Sequence, residues 1–565
     1  MPRVVPAIMV ACSLVALVLM FVGSGTIGVT WDEKTHVLML DTFFAQGWNV
    51  TPDALLPDGT PDPAYIWGVY VYGPVGELFA HGVATLTSQE NWSIVSLDPG
   101  AYAARHLGVA ILALVGVLAV GFTVRIVTRS WAFGLIGAAM LVVTPLWVGQ
   151  GMFNIKDIPV ASGMAIATLG IVLLLSDDGR RGVLLGVLAL STGAVLAAGT
   201  RAAIGVPIAA CLVAGFGMWL LLALRVGDRT KFREPVRGVL WGLAGLTLAY
   251  GLLVLIYPKA FANPFVLAWE ALVVSARFPF DEPVLTAGMW MDQPPPWTYL
   301  PLWLGAQLPV LIVVGAFGFA AAWIVMIVRR ILRQEAVLGD RQLAMVAVVV
   351  CQMMLMPVVA VLFGSNMYNG TRQFLFVVPA AAVLAALGVW FLAQWLVAQG
   401  GSPWKLRALW AVVIVGIVAP VIIQVRLFPY NYVGFNAVAS AWPISGNWST
   451  DYWRASGREL MERLPPGAES CAYEQSRKGD MHPCSVEPMF APYVSGRGVT
   501  AKPAILGPGE YWMVRENQGI TEIPAGCTLH DQITRPLWGQ EVIIGQIMRC
   551  ASSAEPQALG AQSRS

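Results

Sequence analysis

Residues 5–22 read VPAIMVACSLVALVLMFV, and shortly afterwards the chain reads Thr30-Trp31-Asp32-Glu33. An apolar run of this length makes a helix that crosses about 30 Å of hydrocarbon at about 1.5 Å per residue. An acidic pair follows it almost at once. Further apolar runs of spanning or near-spanning length recur at Ala110 to Val124, Val183 to Ala198, Val239 to Ile256, Leu343 to Phe363 and Phe374 to Leu396. Of the 565 residues 57% are hydrophobic and only 12% charged, against about a quarter charged in soluble domains. The expected solvent is a bilayer, and a soluble globular fold is excluded.

The net charge of +2 says little about partners, because in a membrane protein the positions of the cations matter more than their sum. Arg125 and Arg129 follow one span, and Arg180 and Arg181 another. Arg225, Arg229, Lys231, Arg233 and Arg237 follow a third. Arg329, Arg330, Arg333 and Arg341 form the next group, then Lys405 and Arg407. By the positive-inside rule these loops and the N-terminus with Arg3 are cytoplasmic. About eleven spans then leave everything after Arg426 on the far side. Pro2-Arg3 ahead of an apolar core also fits a secretory signal, but no small-residue cleavage site follows. A retained span would hold Asp32-Glu33 at the membrane surface.

The expected organisation is a transmembrane domain over 1–427, a soluble α/β domain on the far side over 428–551, and a polar, disordered tail over 552–565. Two long loops interrupt the spans. The first, residues 30–100, carries Trp31, Trp48, Tyr65, Trp67, Tyr70 and Tyr72 and is too long for a plain connector; its aromatics suit helices lying at the interface. The second, residues 257–298, contains Phe278-Pro279-Phe280-Asp281-Glu282-Pro283 and Pro294-Pro295-Pro296, either part of an acceptor groove or a rigid connector. In the soluble part, Asp451 to Leu464 has helical periodicity, and Val542 to Met548 reads as strand. Cys12, Cys211 and Cys351 fall in spans. Cys471, Cys484, Cys527 and Cys550 fall in the soluble domain, where two disulfides are expected in one of three connectivities.

A carboxylate at a membrane surface is costly unless it is used or paired. Asp32 and Glu33 are therefore either catalytic groups or a capped, solvated turn. Sugar transfer to a hydroxyl needs a carboxylate base for the acceptor proton. Arg105, Lys156, Arg201 and Arg372 sit at the ends of spans opposite to the cytoplasmic groups, against the positive-inside trend. Lipid headgroups or nearby Asp residues are candidate partners for some of them. Asp157 either fixes Lys156 or joins Asp32 and Glu33 around a divalent cation such as Mg or Mn. His36, His81 and His106 are given no catalytic role.

Trp31-Asp32-Glu33 after the first span resembles the acidic motif of GT-C glycosyltransferases, the superfamily of protein O-mannosyltransferases and the lipid A aminoarabinose transferase. Tyr72-Gly73-Pro74-Val75-Gly76-Glu77 resembles their Pro-Pro-Leu loop, with Gly73 where many relatives have Pro and Glu77 near where mannosyltransferases carry Lys. Ala104-Arg105-His106-Leu107 resembles the opening of their second span. Phe153-Asn154-Ile155-Lys156-Asp157-Ile158-Pro159 resembles an Asn-x-Lys-Asp-x-Pro stretch of bacterial family-39-like members, whose late motifs resemble Tyr368-Asn369-Gly370-Thr371-Arg372 and Thr450-Asp451-Tyr452-Trp453. The resemblance implies a GT-C-like enzyme of a bacterial plasma membrane, a hexosyl- or pentosyltransferase. It would move a sugar from a polyprenyl phosphate to a glycan, lipid or protein acceptor by inverting single displacement. Asp32 and Glu33 would be catalytic and Arg105, Lys156, Arg201 and Arg372 would hold the donor phosphate. Asp157, Tyr72, Tyr368 and Asn369 would support them. The rival class is a transporter or a flippase for lipid-linked glycans, whose ionisable residues would lie at mid-membrane. No nucleic-acid partner is implied.

Overall fold

The computed structural model describes residues 2, 4–62, 71–176, 179–226, 233–278, 280, 282–332, 337–400, 402–465, 468, 471–474, 481–484, 487–494, 510–516 and 519–551. The expectations for the tail 552–565 and for Tyr65, Trp67, Tyr70, Pro279 and Asp281 lie outside the described residues. Ten described helices are long and apolar enough to cross a membrane: Val4–Thr26, Pro99–Thr128, Asp157–Ser176, Arg180–Ala198, Ala202–Leu224, Arg233–Ile256, Val310–Ile331, Asp340–Phe363, Val377–Ala398 and Pro403–Leu427. Leu14, Leu118, Val213, Leu255, Val314 and Val415 stand exposed on them, as apolar side chains facing lipid do. The chain is a multi-pass membrane protein.

An eleventh crossing is broken. Trp131–Val142 and Pro145–Gly151 meet at 68°, because Pro145 has no N–H to continue the first helix and Thr144 Oγ1 turns back to Met140 O at 2.8 Å. The bent pair must cross as one unit. His106 touches Glu33, so the start of Pro99–Thr128 lies at the Asp32 face, and its far end is about 30 Å away along the helix. Lys156 is back at Asp32. Only a crossing between residues 131 and 151 returns the chain there.

Helices Asp157–Ser176 and Arg180–Ala198 pack backbone to backbone. A Cβ on Gly193 would stand 2.3 Å from the Ala167 nitrogen, and one on Gly170 would stand 2.3 Å from the Leu190 nitrogen. Small residues permit this approach in a solvent that gives no hydrophobic drive between helices. The packing fixes the two ends that carry Asp157 and Arg201.

The first loop folds into helices Glu33–Gln46 and Val75–Leu86, and the second into helix Pro264–Ala276 and a hairpin of β1 (Val284–Thr286) and β2 (Met289–Met291). Pro296 then opens helix Pro296–Gln307 at its first turn, where its missing N–H costs nothing. Beyond Leu427 lies a five-stranded sheet in the order β4-β3-β5-β7-β6, built from β3 (Cys471–Glu474), β4 (Met481–Pro483), β5 (Tyr511–Glu516), β6 (Cys527–Leu537) and β7 (Gln540–Cys550). Strands β3 and β5 run parallel and the other pairs antiparallel. Pro536 is tolerated because β6 is an edge strand. Cys471 is bonded to Cys484 and Cys527 to Cys550, the latter joining residues that face each other across β6 and β7.

The helix expected over Asp451 to Leu464 is confined to Gly457–Arg463. Asp451 is instead spent on a buried turn, accepting bonds from Tyr432 Oη, from Ala455 N at 3.0 Å and from Ser456 N at 3.1 Å. This turn ties the soluble part to the membrane part. Arg458 Nη1 donates to Gly25 O at 3.0 Å, Val29 N donates to Tyr493 Oη at 3.0 Å, and the Arg454 guanidinium lies 4.0 Å from the Trp31 ring centre. The first loop, with Asp32, is therefore braced from the sheet domain.

Candidate active site

Asp32 stands at the N-cap of helix Glu33–Gln46, but its carboxylate makes no cap bond. It is ion-paired instead with Lys156 Nζ and, at 3.1 Å, with Arg372 Nη1. Three loops thus meet at one carboxylate, all at the same end of the helices. The Asp32 side chain keeps 26% exposure while those of Lys156 and Arg372 keep 6% and 9%. Burial pushes the Asp32 carboxyl up, but the two cations outweigh it and hold it well below the usual carboxylate range.

Each cation is positioned by local chemistry. Asn154 Oδ1 accepts the backbone N–H groups of Lys156 at 3.2 Å and Asp157 at 2.9 Å, while its Nδ2 donates to Gln150 Oε1 at 2.6 Å and Asp157 Oδ2 at 2.9 Å. The Asn side chain thus folds the turn ahead of helix Asp157–Ser176, with Pro159 in its first turn where Pro is accepted. Asn369 and Gly370 both adopt positive φ, 54° and 68°, and turn the chain so that Arg372 faces Asp32. Tyr299 Oη holds Gly370 O at 3.2 Å, and Thr371 Oγ1 donates to Gln307 Oε1 at 2.7 Å.

Around the ions lies a cavity of about 300 Å³ lined by Trp31, His36, Tyr72, Tyr368, Asn369 and Trp453 among others. The Trp453 ring centre is 5.3 Å from Lys156 Nζ and 4.6 Å from the Arg372 guanidinium; Tyr72 and Tyr368 lie 5.3 Å and 5.1 Å from the same two groups. Phe280 stacks on Tyr368 at 4.1 Å and 6°, and Asn366 Nδ2 pins Phe278 O at 2.8 Å. The second loop thereby closes one wall. Burial pushes the Tyr368 hydroxyl up to about 12, against the pull of Arg372, so it stays a neutral donor. Tyr452 also lines the cavity and is held by Gln150 Nε2 at 3.0 Å.

The chain matches no family model and no curated protein. Solved structures that overlap most of its length include those of two membrane proteins. ArnT from Cupriavidus metallidurans, solved in the apo state and bound to undecaprenyl phosphate, is 15% identical, with 97% of this chain and 99% of that chain covered at a TM-score of 0.43. The oligosaccharyltransferase AglB from Archaeoglobus fulgidus, in complex with an inhibitory peptide and a dolichol-phosphate, is 13% identical, with 82% of this chain and 58% of that chain covered at a TM-score of 0.45. Overlaps this loose carry no argument about the chemistry, which rests on the residues themselves.

Asp32, Lys156, Arg372, Tyr72, Tyr368 and Asn369 come together at the cavity; Glu33, Arg105, Arg201 and Asp157 do not line it. Glu33, one residue past the N-cap, points away, as successive helical positions diverge by about 100°. Its carboxylate accepts Thr30 N at 2.6 Å, Thr30 Oγ1 at 2.9 Å and His106 Nε2 at 2.6 Å. It holds the turn beneath Asp32 and touches no cavity space. Arg105, expected at the phosphate, is sequestered by Glu90, which also takes His81 Nδ1 at 2.7 Å. Arg201 is paired at 3.1 Å with Asp157, which therefore does not fix Lys156. These two form an outer layer behind Tyr72, whose ring centre lies 5.4 Å from Arg201.

The carboxylates that would hold a divalent cation do not gather in this arrangement. Asp32, Glu33 and Asp157 turn to three separate partners, and among the described residues no three His, Cys, Asp or Glu side chains gather as ligands. Two cations already face the one carboxylate at the cavity, which opposes a divalent ion there.

The sequence alone gives His36 no catalytic role and Glu77 no partner, yet the two pair beside the cavity. His36 lines the cavity, its Nδ1 is 2.6 Å from Glu77 Oε1, and Tyr72 packs edge-on against its ring at 5.1 Å. Burial pushes the Glu77 carboxyl up, against the pull of His36. The available signal was spacing: His36 is four residues after Asp32, one helical turn, and so shares its face.

Proposed function

We propose that the protein is a membrane glycosyltransferase of the GT-C type, a hexosyl- or pentosyltransferase that takes its sugar from a polyprenyl-phosphate donor and gives it to a glycan, lipid or protein acceptor outside a bacterial plasma membrane. One observation carries this reading. A carboxylate and two buried cations converge from three loops on a single aromatic cavity at one end of the helices, where a lipid-linked phosphate arriving from the bilayer meets both charge and sugar-sized space.

In the proposed reaction the acceptor hydroxyl oxygen attacks the anomeric carbon and its proton passes to Asp32. The bond from that carbon to the phosphate oxygen breaks, and its electron pair leaves with the polyprenyl phosphate. Single displacement inverts the anomeric centre. Negative charge grows on the leaving phosphate, and Lys156 and Arg372 stabilise it in a site poor in water. The rings of Tyr72, Tyr368 and Trp453 offer flat apolar faces to the sugar. Glu33, through Thr30 and His106, acts as a positioning residue for the Asp32 turn. The functional end is assigned to the external side and the N-terminus to the cytoplasm by the positive-inside reading.

A transporter would carry such charges near mid-membrane on broken helices; the bent crossing found among the described residues contributes no ion to the cavity. The test is the glycan and glycolipid profile of a strain lacking the protein. Loss of one sugar from an external glycan, lipid or protein, with its polyprenyl-phosphate form accumulating, is expected. Loss of the whole external glycan, with its complete lipid-linked form trapped on the cytoplasmic face, would contradict the proposal in favour of a flippase, and an unchanged profile would contradict it outright.

A further inference from the structure

We infer that Asp32 occupies the phosphate's place on Lys156 and Arg372, and that donor binding displaces it and so frees the base. The inference rests on the functional reading above and concerns the same cavity. Lys156 Nζ and Arg372 Nη1 both reach a single oxygen, Asp32 Oδ2, although each cation is able to serve several acceptors. Arg372 Nε is buried without a partner among the described residues. The pair is thus under-used by one carboxylate oxygen, and a phosphodiester with two free oxygens meets its unmet demand better.

The carboxylate and the phosphate cannot share the pair without cost. Two anions held about 4 Å apart in a site poor in water repel strongly. Asp32 is the member free to move. It is the most exposed of the three, and its side chain carries no cap bond that a rotation would break. Swung off the cations, it remains at the positive end of helix Glu33–Gln46, near His36.

This arrangement orders the reaction. While Asp32 neutralises Lys156 and Arg372 it is a poor proton acceptor, since the proton would have to compete with two cations. Once the donor phosphate takes them over, the carboxylate becomes an ordinary base next to the sugar. Acceptor activation then waits for the donor, and the empty site holds no reactive base.

The test uses the full chain in detergent and the methyl diester of farnesyl phosphate as probe, which has no group titrating near neutral pH. Asp32→Asn is expected to bind it at least about tenfold more tightly than wild type. That gain is expected to vanish when Arg372→Gln or Lys156→Met is added, in a double-mutant cycle. Equal or weaker binding by Asp32→Asn, or a gain that survives without the cations, overturns the inference while leaving the functional reading in place. Absence of binding to every form overturns both. Because Asp32→Asn leaves two buried cations without their anion and is liable to misfold, wild type supplies a second measurement. Calorimetry near pH 5 in two buffers of different ionisation enthalpy is expected to register proton uptake on binding. The groups facing Asp32 are Lys156, Arg372 and His36 with its partner Glu77, so the uptake must persist in His36→Gln. No uptake, or uptake lost with His36, overturns the inference.

Discussion

Replacing Arg372 with Gln removes one of the two charges that face the leaving phosphate while keeping a polar, though shorter, side chain. Its Nη1 lies 3.1 Å from Asp32 Oδ2 and its side chain is 9% exposed, so water does little to replace it. A unit charge at about 4 Å and an effective dielectric of about 20 is worth up to about 4 kcal/mol. Losing one donor to a developing oxyanion costs about 2.7–4 kcal/mol in measured enzymes. Both routes give a fall of roughly 10²–10³ in kcat/KM for the donor. Negative charge increases from the diester to the departing phosphate, so part of the loss must appear in kcat and not only in KM. Folding is expected to survive, because Lys156 still neutralises Asp32. The assay follows transfer from a synthetic polyprenyl-phosphate sugar at varied donor concentration. A fall of less than about fivefold, or one confined to KM, would refute the assignment of Arg372 to the transition state.

Arg105→Met is expected to leave donor KM within about twofold, because Arg105 serves Glu90 and not the cavity, yet to destabilise the protein by about 3–5 kcal/mol by stranding a buried carboxylate; thermal unfolding and donor kinetics measured together check both, and a donor KM raised as in Arg372→Gln would return Arg105 to the phosphate. In the sheet domain, burial pushes the Glu516 carboxyl up from 4.5 to about 8, against the pull of Arg454. The unfolded chain ionises above about 4.5 while the folded one keeps its proton, so stability falls with rising pH up to about 8, at no more than about 1.4 kcal/mol per pH unit. Glu516→Gln should therefore unfold at a progressively higher temperature than wild type between pH 5 and 8, and a constant gap over that range would count against a neutral buried Glu516.

Much of the membrane fold was legible because spans announce themselves by length and apolarity, and even the broken crossing at Thr144-Pro145 was carried by the alternation of cation clusters. The cavity residues stood out for a related reason: Lys156 and Arg372 are cations at the wrong ends of spans, and Asp32 is an anion where a span emerges. What stayed hidden depended on direction and on distant partners. Asp32 and Glu33 look equivalent as a pair, yet one helical step sends them to different neighbours. Arg105 looked like a third phosphate ligand because nothing in its own stretch reveals that Glu90 folds back to take its charge. Asp451 looked like a helix start, whereas Tyr432 from another segment makes it the centre of a buried turn. The ring of Trp453 beneath both cations and the stacking of Phe280 on Tyr368 join segments far apart in the chain, which local periodicity does not report.

The most direct measurement is transfer by the purified protein, with wild type and Asp32→Asn compared on one polyprenyl-phosphate sugar donor while donor binding and turnover are followed separately. Wild type is expected to release polyprenyl phosphate and form a product of inverted anomeric configuration. Asp32→Asn is expected to bind donor at least as well and to lose about 10²–10⁴ in turnover, the usual worth of a general base. Near-normal turnover by Asp32→Asn, or translocation of the lipid-linked sugar by wild type without any transfer, would contradict the account.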